Sequence, residues 1–153
     1  MNSRRNYRII SVAIVVVLTL ISTGYAYAKS KERTGKWVAT SNLGSLTLYV
    51  DENGQSVCKI EFNFRCGRVN AKGSIGSEKL SKDWSGWKID TQGHFAVEKV
   101  PFYIDFFGTQ DSKKNTLGSL EGTFFQDGKT ASGTWILSPN DGTECRGDWS
   151  ATR

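Results

Sequence analysis

The chain has few residues of the types that do chemistry, and their spacing is wrong for most reactions. His94 is the one histidine. It follows Gly93 and heads an alternating apolar run, so it reads as a surface residue at a strand start. One histidine and no Cys-x-x-Cys leave a zinc site without ligands. Asp51, Asp111 and Asp141 fall in polar turns, where a short carboxylate accepts backbone N–H groups, and no calcium-ligand spacing surrounds them. No nucleophile motif is present, nor a glycine loop that cradles phosphate ahead of a helix. Any two carboxylates could still meet in space as a glycoside-cleaving pair. The residues therefore point to a non-catalytic domain with no cofactor and no metal. The alternative is a small extracytoplasmic hydrolase acting on cell-wall or extracellular glycan.

Binding chemistry is better represented. Trp84-Ser85-Gly86-Trp87 borders a strand, and Tyr103 and Asp105 alternate with Phe102, Ile104 and Phe106. If their face is wet, Trp84, Trp87, Tyr103 and Asp105 form a platform for sugar rings or a groove for an envelope protein. If both faces are covered, the tryptophans cap the core. Three cysteines in an exported domain imply one bridge and one odd thiol. Cys58 and Cys66 are eight positions apart on one expected strand, about 26 Å when extended, whereas a bridge needs Cα atoms about 4.4–6.8 Å apart. The bridge then uses Cys145, with Cys66, at a strand end, as the better-placed partner. Cys58, on the apolar face, is expected to stay a buried thiol outside it.

The elements that position these residues are short strands. Sixteen glycines and two prolines accompany a period-two apolar pattern, and no stretch holds helical spacing over three turns. Expected strands are 36–40, 46–50 and 58–64, an edge strand near Ile75, 87–90 hairpinned to 94–97, 100–106, 117–125 hairpinned to 130–137, and 145–152. About eight such strands predict an all-β antiparallel β-sandwich, with a small up-and-down β-barrel as the alternative. Gly35-Lys36-Trp37-Val38-Ala39-Thr40 is echoed by Gly147-Asp148-Trp149-Ser150-Ala151-Thr152, as two terminal strands lying side by side would explain.

Ahead of this domain, Arg4, Arg5 and Arg8 precede an apolar run to Ile21 and an Ala26-Tyr27-Ala28 cleavage site. Residues 1–28 read as a signal peptide carrying a signal helix, or as a membrane anchor through 9–28 if uncut. Ser3-Arg4-Arg5 also has the start of a twin-arginine signal. Residues 29–34 are expected to be a flexible basic leader and 35–153 a single β domain, secreted, periplasmic or at the cell surface. Three of the twenty lysines and arginines lie in the signal, leaving seventeen against fifteen acids. That balance gives nucleic-acid binding no support.

The order Gly35-x-Trp37, Ser45 to Val50, Ile89-Asp90-x-x-Gly93-x-Phe95, Gly122-Thr123-Phe124, Thr130 to Trp135, Cys145 and Gly147-x-Trp149 resembles a loosely defined group of exported bacterial β-domains of unknown function. That resemblance implies a β-sandwich and no known activity. A weaker one is to the avidin and streptavidin barrels, carried by Thr34-Gly35-Lys36-Trp37, Trp135-Ile136-Leu137 and Trp149 to Arg153. It would place Ser45, Trp135, Leu137 and Trp149 around biotin. The chain departs from that family: Ala39 replaces its Asn, its Gly-x-Tyr is missing, and Arg153 comes where a closing strand is needed, so on that likeness the barrel would be left with open edges and an incomplete site.

Overall fold

The computed structural model describes residues 30–153 apart from 68, 78–79, 107–113 and 139–143; the side chains of 66, 69, 99–106 and 114–117 also fall outside it. The expected signal or anchor of residues 1–28, Asp111 and Asp141 thus lie outside the described residues, as do the side chains of Cys66, Tyr103 and Asp105. No helix among the described residues is long and apolar enough to cross a membrane.

Nine strands follow one another: β1 (Gly35–Ser41), β2 (Gly44–Val50), β3 (Ser56–Cys66), β4 (Val69–Gly76), β5 (Trp87–Lys88), β6 (His94–Phe106), β7 (Lys114–Phe124), β8 (Thr130–Ser138) and β9 (Cys145–Thr152). They belong to one curled antiparallel sheet, and this arrangement follows the barrel alternative more closely than two face-packed sheets. The chain of pairings returns to its start, because β2 pairs both β1 and β3 while β9 pairs β1 through Ala39↔Ala151 and Thr40↔Ser150. The echoed terminal strands do lie side by side. The open edge expected at Arg153 is closed, because β9 itself supplies the pairing. The shortest seams of the ring are β4–β6, where Val69–Ala71 pair with Ile104–Phe106, and β1–β9, where Ala39–Ser41 pair with Trp149–Ala151.

Three local expectations change. The edge strand expected near Ile75 is β4, an interior strand eight residues long, paired with β3 along its whole length and with β6. Residues 87–90 do not hairpin with β6; β5 pairs with the start of β3, Val57↔Trp87, and the Asp90–His94 turn then leads into β6. The two segments 94–97 and 100–106 are one strand with a register shift between Val97 and Val100. The first two misses concern which strand is the neighbour, and hydrophobic alternation carries no such information; the third is a register shift that breaks the alternation within one strand.

The alternating residues line the inside. Leu46, Leu48 and Val50 of β2, Ile60, Phe62 and Phe64 of β3, and Trp135 and Leu137 of β8 are buried in one core with Trp37, Phe95, Phe124 and Trp149. Aromatic rings fill it in two groups. Trp37 meets Phe124 edge-on at 5.1 Å, and Phe124 leads through Phe95 to Trp149. Phe64 stacks on Trp135 at 4.1 Å and 10°. A barrel of about eight strands is just wide enough for side chains to fill, and large rings fill this one.

One end of the barrel is covered by the turn of residues 30–34. Arg33, expected in a solvated leader, is 6% exposed. Its carbonyl accepts the Trp37 indole N–H at 2.8 Å, and its guanidinium reaches the Asp90 carbonyl. Gly54 adopts φ +67° in the β2–β3 turn, and a side chain there would strike the Ser30 backbone. Arg153, beyond β9, donates to the Thr34 carbonyl at 2.5 Å and lies over the Trp37 ring. The leader is docked because this end of the core would otherwise leave Trp37 uncovered and its N–H unmet.

Candidate functional site

The turn carboxylates serve the backbone. Asp51 accepts from the Gln55 and Ser56 N–H groups at 2.7 and 3.0 Å. Asp90 accepts from the N–H groups of Gln92 and His94, and Asp127 from those of Lys129 and Thr130 and from the Thr130 hydroxyl. The His94 N–H holds the Asp90 carboxyl below its ordinary range, and the Thr130 hydroxyl does the same for Asp127. Glu61 is also held low, first by Lys59 and then by the Tyr49 hydroxyl. Carboxylates stabilised as anions by several donors are poor proton donors. His94 is exposed at its strand start. Among the described residues no three His, Cys, Asp or Glu side chains gather as metal ligands would.

The four residues of the aromatic platform are not brought together. Trp84 and Trp87 meet edge-on at 4.8 Å near the start of β3, with the Trp84 indole donating to the Cys58 carbonyl. Trp87 is half-buried and packs against the core. Asp105 pairs with Asn70, which pairs with Arg65, eight residues along β3 from Val57, the partner of Trp87. At about 3.3 Å per residue that is about 26 Å. Tyr103 and Asp105 therefore belong to the opposite end of the barrel from the two tryptophans.

Cys58 sits where the β2–β3 register shifts, between Tyr49↔Lys59 and Val50↔Val57. It is buried, and its thiol donates to the Tyr49 carbonyl at 3.1 Å. Cys145 is buried in the core at the start of β9. Cys66 ends β3, but its side chain lies outside the described residues, so the Cys66–Cys145 bridge stands as an expectation.

The described interior is filled by packed side chains. In the ladder Gly133 pairs with Trp149 and Trp135 with Gly147; the Trp135 ring lies over Gly147, whereas the Trp149 ring lies against Gly122 of β7. A Cβ on Gly147 would crowd the Trp135 ring, and one on Gly122 would overlap Trp149. The indole N–H groups are met by the Ser41 hydroxyl at 2.9 Å for Trp135 and by the Glu121 carbonyl at 3.1 Å for Trp149. Of the four residues that the avidin likeness would gather around biotin, Trp135, Leu137 and Trp149 point inward and are buried, whereas Ser45 is exposed on the outer wall.

Polar side chains gather instead in a trough of about 600 Å³ on the outer wall across β1, β9 and β8. Thr40, Ser132, Ser150 and Asp148 line it, with Ser41 and Asn42 of the β1–β2 hairpin at one end. Ser41 is engaged, donating to the Asp148 carbonyl at 2.7 Å. Thr134 donates to Glu121 at 3.1 Å. Hydroxyls that both donate and accept, one carboxylate and one carboxamide suit a neutral ligand rich in hydroxyl groups. The signal was present in the sequence as Ser132-x-Thr134 and Asp148-x-Ser150, but only the register Ser132↔Ser150 and Thr40↔Ser150 brings the segments together. Compared with protein-family models, curated proteins and solved structures, the chain matches none.

Proposed function

We propose that this chain is an exported, non-catalytic binding module of the cell envelope, and that its ligands are glycans held on the outer wall. One observation carries the reading: the described interior is packed with apolar and aromatic side chains, while hydroxyl, carboxylate and amide side chains lie along one open trough on the outer wall. A ligand of this protein is then bound at the surface, by hydroxyl and amide pairing more than by enclosure. The test is a glycan panel probed with the full chain and its Asp148→Ala variant. Binding of one or more polysaccharides, weakened at least fivefold in Asp148→Ala, is the expected result. A blank panel, or equal binding by the variant, would remove the trough from consideration. Release of reducing ends from the bound glycan would favour the hydrolase.

A further inference from the structure

Charge is divided between the two halves of the barrel. Among the described side chains, the wall of β1–β4 carries Lys36, Lys59, Arg65 and Lys72 against Glu61. The wall of β6–β9 carries Glu98, Glu121, Asp148 and, just before β9, Glu144, against Arg146, which is itself paired with Glu144. Each wall also bears one feature of shape. On the basic wall Val38 is 59% exposed, the most exposed of the large hydrophobic residues named so far; Lys36 stands beside it on β1, and Lys36 and Lys59 flank the Tyr49 ring. On the acidic wall β6, β7 and β8 enclose a depression of about 340 Å³ with Ala96 and Ile136 in its floor and Glu98 and Glu121 at its rim.

We propose that these walls dock on one another between copies of this chain, with Val38 entering the β6–β8 depression of a second copy. Lys36 then faces Glu98 and Glu121, so an apolar contact is ringed by opposite charges, as in interfaces with a dry centre and a polar rim. The two patches are different surfaces of one molecule, so the contact is heterologous and leaves both outer patches of a pair unfilled. Copies therefore add head to tail into a ring or filament. This goes beyond glycan binding and does not depend on it.

Sedimentation velocity of the full chain, in a density-matched detergent, tests the proposal. At low ionic strength the mass should rise with concentration above that of one chain. At about 1 M salt, where the Debye length is about 3 Å, it should fall toward one chain. Val38→Glu and Glu121→Lys should each weaken association at least tenfold with the melting temperature preserved, since both side chains are exposed. Joining Lys36→Glu to Glu121→Lys should restore it. A single-chain mass at every concentration in low salt would overturn the proposal, as would association that neither single variant alters.

Discussion

At the scale of single residues, the polar groups with the most partners hold turns in place. Asp90, Asp127 and Glu61 have pKa values depressed by donors that exist only in the folded chain. A depressed carboxylate stabilises the fold above its unfolded pKa, and that contribution disappears as pH falls through the folded value. The melting temperature should therefore stay level from neutral pH down to about 4 and drop below it. Asp127→Asn should melt a few degrees lower at pH 7 and lose less on acidification, as read by thermal scans at pH 7 and pH 3; an unchanged acid drop would refute the assignment. Inside the barrel the sensitive positions are glycines. Gly122→Ala puts a methyl into the Trp149 ring, and overpacking of this kind costs about 1–3 kcal/mol. Trp149→Phe in the same chain should recover part of that loss, which a double-mutant cycle by urea unfolding would measure.

Strands are the next scale, and here β8 and β9 explain much of the sequence. The Trp135 ring lies over Gly147 and the Trp149 ring over Gly122, so each of these large rings fits inside a narrow barrel where a neighbouring strand presents no side chain. The cysteine expectation also belongs to this scale, since it ties the end of β3 to the start of β9. Cys145→Ser should lower unfolding free energy by about 2–5 kcal/mol, whereas Cys58→Ser should leave the linked peptides intact by mass spectrometry. Peptides linked through Cys58 would contradict the pairing. Alternation located β1, β2, β3, β7, β8 and β9 in the sequence, because one face of each is apolar from end to end. It found β4 only near Ile75 and placed it at an edge, because Lys72, Gly73 and Ser74 look like a loop until β3 supplies the ladder. It failed at β5, whose partner lies thirty residues back. The outer trough was illegible for the same reason: short hydroxyl side chains on three strands carry no mutual signal before the register is known.

At the scale of the whole molecule, the described residues form a ring of strands with aromatic and aliphatic side chains within and most of the charged ones outside. The expected platform of Trp84, Trp87, Tyr103 and Asp105 is split between its two ends, which leaves the walls as the broad surfaces available for recognition. The docked turn at residues 30–34 has a further consequence. Thr34 and Arg153 touch, so the first and last described segments share one pole of the barrel. An affinity handle joined after Arg153 would leave from that pole, and the hairpin of Asn42 at the far rim would stand clear of it. In a domain begun at Thr34, a flexible peptide joining it to Arg153, with the chain reopened at the exposed Glu52–Asn53 turn, would need to span little more than one hydrogen bond.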